Sequence, residues 1–323
     1  MSKSGPIAIY HEHPDWFKPL FAELDRRAIP YVRLDPSAHQ YSPAENSSPY
    51  SLLFNRMSPS AYLRGGLQGM FYTLGYLAHL ERLNVPTVNG LRAFTLETSK
   101  ARQLTLLESL SLPYPKSRVI NHPSQAVTSC AGLRFPIVIK ANIGGSGAGI
   151  VRFDTIEDLA RAAEEDRLDF GVDHTALVQE FVPNRGGKIT RVELLGGKFL
   201  YAINVFTTGD TFNLCPADIC QRSDGVALER SACAVDAPKT KLKVEGTMPP
   251  AEVIAACEAI MLEAGIDVGG IEYMIDDRDG QLVYYDINAL SNFVADAKNV
   301  IGFDPFVKLV DFLETVSNQE ERG

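Results

Sequence analysis

The sequence predicts an α/β protein of two or three lobes, the first of them built on a parallel sheet. At 323 residues the chain is too long for one ordinary hydrophobic core. Its first part alternates short apolar strands with amphipathic helices, the pattern of parallel strands covered by helices. Its later part contains strand pairs that turn at Gly196-Gly197 and at Arg278 to Gly280, as hairpins do.

In chain order, "PIAIYHE" reads as a strand and "DWFKPLFAELDRRA" as a helix with Phe17, Leu20, Phe21 and Leu24 on one face. "PYVRLDP" and "YSLLFNR" are further strands, "LQGMFYTLGYLAHLERL" is a helix, and "NVPTVNG" closes the set as a short strand. "LETSKARQLTLLESLSLPYP" starts a helix capped at Thr98 or Ser99 and ends in a proline-punctuated turn. "FPIVIKANIGGSGAGIVRF" holds two strands around a glycine-rich loop, and Thr155 caps the helix "TIEDLARAAEED". "TALVQEFVP" is a strand and "TRVELLGGKFLYAINVF" the first hairpin. Residues 207–249 are polar and irregular. The helix "AEVIAACEAIMLEAG", the hairpin "GGIEYMIDDRDGQLVYYDIN" and the helix "FDPFVKLVDFLETV" complete the chain, with no internal repeat.

Charge and cysteine content narrow the partners. A net charge of −9 and a pI near 5.2 argue against nucleic acid or an anionic membrane as partner. No stretch approaches the ~20 apolar residues of a membrane span. The N-terminus lacks a signal peptide's apolar segment, so a cytosolic location is expected. The five cysteines, Cys130, Cys215, Cys220, Cys233 and Cys257, include no C-x-x-C and no zinc-type spacing. They read as reduced packing or loop residues.

Three features carry chemistry. Residues 144–149 hold four glycines in six positions, which lets backbone N–H groups approach a phosphate; an ordinary β-turn needs only two. Lys140 stands inside the apolar run "PIVIKAN", where lysine is rarely found for packing, although an edge-strand lysine facing water reads the same way. Asp286 and Asn288, two apart in "YYDIN", emerge on one face of a strand, and the hairpin brings Glu272 opposite them. Two carboxylates and a carboxamide form an oxygen-only set suited to Mg²⁺ shared with phosphates. The bland alternative is a solvent-facing carboxylate pair. In that alternative Ile287 and Ala289 would fill the core while Tyr284 shared the exposed face. His11 and His13 at the end of the first strand read as turn residues.

A glycine-rich lid, a strand lysine and an acidic metal set together imply ATP chemistry. Their order resembles the ATP-grasp superfamily, in particular its RimK-like carboxylate–amine ligases, related to the glutathione synthetases. The resemblance implies a pre-ATP-grasp domain over 1–95, an N-terminal lobe with the lid over 96–175, and a C-terminal lobe with the hinge and metal site over 176–323. It implies ATP contacts from Lys100, Lys140, Gly144, Gly145, Ser146 and Gly147, with Gln179, Glu180, Phe181 and Val182 as the adenine hinge. Glu272, Asp286 and Asn288 match the set that binds two Mg²⁺ ions, for which Mn²⁺ can substitute. Arg191 matches a catalytic, phosphate- or substrate-facing arginine, while Arg56, Asn89 and Asn204 fall at substrate positions. The chain departs from the family at Ile189, where an aspartate is usual; Lys188 or Glu180 is then the ribose contact. It departs again at Asn204, where an arginine is usual.

The implied activity is amide or peptide bond formation between a small carboxylate and an amine through an acylphosphate, with release of ADP and phosphate. A homodimer is implied by the resemblance alone. A small-molecule kinase and a degenerate nucleotide-binding regulator are the competing readings.

Overall fold

A computed structural model describes residues 5–13, 15–144, 150–206 and 243–319. The N-terminal sheet is parallel, in the order β2-β1-β3-β4, from β1 (Ile7–His11), β2 (Tyr31–Leu34), β3 (Leu52–Arg56) and β4 (Thr87–Val88). Both faces of β1 are apolar because helices cover both. Ile7 and Ile9 meet α1 (Lys18–Arg26) through Phe17, Leu20 and Leu24. Ala8 and Tyr10 meet α2 (Leu67–Arg82) through Met70, Tyr76 and Leu77.

After β4 come α3 (Leu91–Glu97) and α4 (Lys100–Ser109). The second sheet is antiparallel, in the order β5-β8-β6-β7, from β5 (Ser117–Ile120), β6 (Ile137–Ala141), β7 (Val151–Phe153) and β8 (Ala176–Glu180). One face packs on α5 (Ala126–Ser129) and α6 (Ile156–Glu164), burying Ile137, Ile139, Phe153, Leu159 and Val178 together.

The third sheet is antiparallel, in the order β11-β10-β9-β12-β13. Its strands are β9 (Lys188–Leu195), β10 (Lys198–Phe206), β11 (Val244–Thr247), β12 (Val268–Ile275) and β13 (Leu282–Asn288). One face packs under α7 (Ala251–Ala264), α3 and α4, with Val192, Ala202, Ile271 and Ile287 against Leu104, Leu107 and Ile260. The other meets the α1 side of the N-terminal unit, with α8 (Ala297–Val300) and α9 (Pro305–Gln319) alongside. One continuous core therefore joins the first and third sheets. Arg27, just after α1, reinforces this join, donating to Asp311 at 2.6 Å and to the Val307 carbonyl at 2.9 Å.

The strands and long helices expected from the sequence lie where it places them, but residues 244–247, expected to be irregular, form β11 beside β10, and two further expectations change. The division at 175 precedes β8, yet β8 is hydrogen-bonded between β5 and β6, so residues 176–180 go with the second sheet. Likewise α4, expected in the middle lobe, lies on the third sheet. Strand β5 was not anticipated: it has four residues, follows Pro113 and Pro115, and buries only Ile120. Among the described residues, no helix is long and apolar enough to cross a membrane.

Candidate active site

Alternation along β9 puts Val192 and Leu194 under α7 and turns Arg191 and Glu193 to the opposite face. Register does the rest. Glu272 of β12 pairs with Arg191 on one side and with Asp286 on the other. The buried Arg191 guanidinium donates from Nη1 to Glu272 Oε1 at 2.7 Å, from Nε to Glu193 Oε1 at 2.5 Å, and from Nη2 to Ser291 Oγ at 2.8 Å. Ser291 Oγ donates in turn to Glu193 Oε2 at 2.5 Å. Gly270 leaves the space for this: a Cβ there would lie 2.8 Å from Arg191 Nη2.

Between β12 and β13 the pairing slips by one residue, since Glu272 opposes Asp286 while Tyr273 opposes Tyr284. Tyr285 is the extra residue of a β-bulge. Its hydroxyl donates to Glu272 Oε2 at 2.5 Å. The bulge also corrects the expectation for Tyr284, which is 3% exposed and packs with Tyr273 and Ile287 under α7 rather than sharing a face with Asp286. Asp286 and Asn288 do stand together, Asn288 Nδ2 donating to Asp286 Oδ2 at 3.0 Å.

Two lysines reach this group from outside the third sheet. Lys100, the first residue of α4, donates from Nζ to Asp286 Oδ1 at 2.7 Å. On β6, Ile137 and Ile139 enter the α6 core, so Lys140 points to the other face, where it is buried. Burial and the neighbouring Lys100 charge lower the Lys140 ammonium to about 7, with Asp286 opposing. Burial alone would lower Lys100 too, but the charge and hydrogen bond of Asp286 outweigh it and raise it. The same pairing overcomes burial at Asp286 and holds its carboxyl below the usual range.

Burial raises Glu272 against the pull of Arg191. Burial also pushes Glu97 up to about 7; its carboxylate accepts the Ala289 backbone N–H just beyond β13. Asn142 fastens the lysine-bearing elements to each other. Its Oδ1 accepts from Ser99 Oγ at 3.1 Å and Ala101 N at 2.9 Å, its carbonyl accepts from Lys100 N at 3.1 Å, and its Nδ2 donates to Asp173 Oδ2 at 2.6 Å.

The donor set suits a hard cation only in part. Two carboxylates and a carboxamide converge, while no group of three His, Cys, Asp or Glu side chains does so among the described residues. A Mg²⁺ ion held here would complete its shell with phosphate oxygens and water, its usual habit. The lysine and arginine donors meanwhile neutralise the carboxylates.

The remaining expected residues fall in different places. Gln179 Nε2 donates to Ser117 Oγ at 2.7 Å, and Glu180 accepts from Arg134 N and Nε at 3.0 Å. Phe181 N donates to the Pro136 carbonyl at 2.9 Å, with the Arg152 guanidinium 4.9 Å above its ring. Val182 is buried in the core joining the first and third sheets. Lys188 is exposed at the start of β9, and Ile189, where the family usually has aspartate, is buried. Gly144 is half-buried after β6; Gly145, Ser146 and Gly147 lie outside the described residues, as do Cys215, Cys220 and Cys233. Cys130 and Cys257 are buried free thiols.

The three residues expected at substrate positions are each engaged by the protein. Asn204 pairs with Thr190 in the ladder, and Thr190 Oγ1 donates to it at 2.8 Å, so it faces away from Arg191. Asn89 spends its side chain on backbone: Nδ2 donates to the Val268 and Ala289 carbonyls, and Oδ1 accepts from Asp267 N and Val268 N. Arg56 donates to the carbonyls of Ala289 and Ser291 and to Asn292 Oδ1, so it supports the loop that carries Ser291. His13 Nδ1 accepts from Asp15 N and Trp16 N, as a turn residue does.

Sequence reasoning passed over Glu97, Asn142, Glu193, Tyr285 and Ser291. Glu193 was within reach of the period-two rule applied from Arg191. Ser291 and Asn142 carry no local signal, since their partners lie far away in sequence.

No protein-family model matches the chain. It is 29% identical over 167 residues to a D-alanine--D-alanine ligase of Haemophilus influenzae, covering 50% of this chain and 52% of that enzyme, so it spans about half its length. It is 22% identical over 290 residues to a probable alpha-L-glutamate ligase of Mannheimia succiniciproducens, covering 87% of this chain and 88% of the relative. Among solved structures it is similar to the ATP-grasp ligase PsnB complexed with minimal precursor, Mg and ADP. That likeness has a TM-score of 0.63 at 16% identity and covers 96% and 97% of the two chains. The chain has the ATP-grasp fold.

Proposed function

We propose that the chain is an ATP-dependent ligase that joins a small carboxylate to an amine through an acylphosphate, releasing ADP and phosphate. The observation that carries this reading is the meeting of Lys100 and the buried Lys140, from separate elements, at a face bearing Glu272, Asp286 and Asn288. Such a site offers positive charge to phosphates and oxygen ligands to a cation. This chemistry needs no protein nucleophile. The named ligase relatives support the same reading.

In the proposed reaction a carboxylate oxygen of the substrate attacks the γ-phosphorus and ADP leaves. The amine then attacks the activated carbonyl, loses a proton, and phosphate departs with one oxygen of the original carboxylate. The barrier to phosphoryl transfer is mostly charge and alignment. Lys140 and Lys100 hold phosphate oxygens, Lys100 leaving Asp286 to do so. Asp286, Glu272 and Asn288 would hold Mg²⁺, which neutralises phosphate charge when bound. Arg191 is kept rigid by Glu193 and Ser291, facing the reacting groups. In this reading Gln179, Glu180, Phe181 and Val182 meet adenine, and Lys188 or Glu180 meets the ribose.

The test is ADP and phosphate release from Mg-ATP with pooled amino acids, dipeptides and amines, followed by product mass. A product lighter than its two substrates by one water supports the ligase, with turnover falling ~10²–10³-fold in Asp286→Asn. A phosphorylated product without free phosphate would replace it with a kinase.

A further inference from the structure

Among the described residues β13 is the last strand of the third sheet, with β12 on one side of it. Its other edge carries backbone N–H and C=O groups that still need partners, since Ile287 and Ala289 are buried beside α3 and α4. Side chains supply them in place of a strand. Gln103 of α4 meets Ile287 at two points, Nε2 donating to its carbonyl at 2.9 Å and Oε1 accepting from its N–H at 3.3 Å. Two residues on, Glu97 Oε2 accepts the Ala289 N–H. Gln103 Nε2 also donates to the Leu96 carbonyl in α3 at 3.3 Å. Gln103 is 4% exposed and Glu97 7%.

These bonds fall where the candidate cation ligands are. Ile287 separates Asp286 from Asn288, and Ala289 follows them. Lys100 stands one turn before Gln103 on α4 and donates to Asp286 itself. One helical turn therefore holds the strand twice, once by a side chain and once by the backbone. The two holds are not equivalent. Lys100 loses its grip on Asp286 when it moves to a phosphate oxygen, whereas the bonds from Gln103 and Glu97 run to backbone and stay. Leu104 and Leu107 supply the apolar packing of α4 here, so what Gln103 adds is its amide.

We propose that Gln103 and Glu97 are positioning residues for the cation. They fix the backbone of β13, so that Asp286 and Asn288 keep one spacing after Lys100 has turned to phosphate. This rests on the ATP and Mg²⁺ reading above and extends it to two side chains that act through the strand. Partners that orient a metal's ligands change its affinity by roughly 10–100-fold when removed.

The test uses the full chain with Mn²⁺ and β,γ-imido-ATP, an analogue that donates no phosphoryl group. Free Mn²⁺ is read by electron paramagnetic resonance, and amide exchange over residues 284–290 by mass spectrometry. Gln103→Met should bind Mn²⁺ about tenfold more weakly in the ternary complex and exchange faster over 284–290, while binding the analogue alone as the wild type does. Glu97→Gln keeps an acceptor for the Ala289 N–H and should hold Mn²⁺ as the wild type does. If Gln103→Met does not fold, Gln103→Asn, whose amide stops one methylene short of Ile287, should weaken Mn²⁺ binding in the same direction. Unchanged Mn²⁺ affinity in the Gln103 variant that folds would reduce the clamp to a structural role and overturn the proposal. So would loss of Mn²⁺ in Glu97→Gln, which would make its charge the operative feature, or no Mn²⁺ binding by the wild-type complex. None of these readouts needs a product, so failure of the ligase reading and failure of this one are separable.

Discussion

At the residue scale the site is a set of cations and carboxylates, each buried and each holding another in place. The Lys140 ammonium is lowered to about 7 by burial and by Lys100. Its pH dependence follows with a definite sign. Bound phosphate favours the ammonium and raises its pKa, so above pH 7 ATP binding must take up a proton. ATP affinity should therefore fall as pH rises from about 7 to 9, by at most about tenfold per pH unit. Calorimetry in buffers of different ionisation enthalpy should show the proton uptake, and Lys140→Arg should remove it. A flat affinity between those values would contradict this assignment.

Asn142 gives a second prediction at this scale. Asn142→Ala leaves both lysines in place but unties them, costing roughly 1–3 kcal/mol of support. The expected result is a rise in KM for ATP larger than the fall in kcat, with partial rescue by Asn142→Asp, which keeps the acceptor. Lys140, Asp286 and Asn288 were legible because charged or amide residues inside apolar runs stand out from a pattern. Asn142, Tyr285 and Ser291 were not, because what distinguishes them is the company they keep in three dimensions.

At the element scale the slip between β12 and β13 shapes the site. A regular ladder would place Tyr284 beside Asp286; the bulge sends Tyr284 to the core and brings Tyr285 onto Glu272. The hairpin and its turn were legible from alternation and from the stretch Arg278 to Gly280, but a bulge has no signature in a run of "VYYDI". Gly270 is the other decisive element-level residue. An added methyl would meet Arg191 Nε at 2.9 Å and Glu193 Oε1 at 3.0 Å, and the guanidinium cannot swing aside while three acceptors hold it. Gly270→Ala should lower turnover by about 10²-fold while ATP affinity, measured separately, changes little. An unchanged kcat would show that Arg191 tolerates displacement.

At the scale of the whole molecule, the first and third sheets share a core and the second sheet brings Lys140 to their edge. Leu20 is 1% exposed in that shared core, so Leu20→Ala should destabilise the fold by roughly 2–5 kcal/mol. The loss should appear as one cooperative transition monitored from either sheet. Two separate transitions would mean that the units fold independently. The parallel unit and the two later hairpins were legible from periodicity. The grouping of β8 with the second sheet and of α4 with the third was not, because partner choice is a tertiary matter.

The central claim, a carboxylate activated by phosphoryl transfer, has one direct measurement that works whichever amino acid or dipeptide is the substrate. Mg-ATP is turned over with a pool of amino acids and dipeptides labelled with ¹⁸O in their carboxylates, and the released phosphate is weighed by mass spectrometry. This account predicts phosphate carrying one ¹⁸O atom together with an amide product. Unlabelled phosphate released on turnover, or a phosphorylated product with no free phosphate, would contradict it.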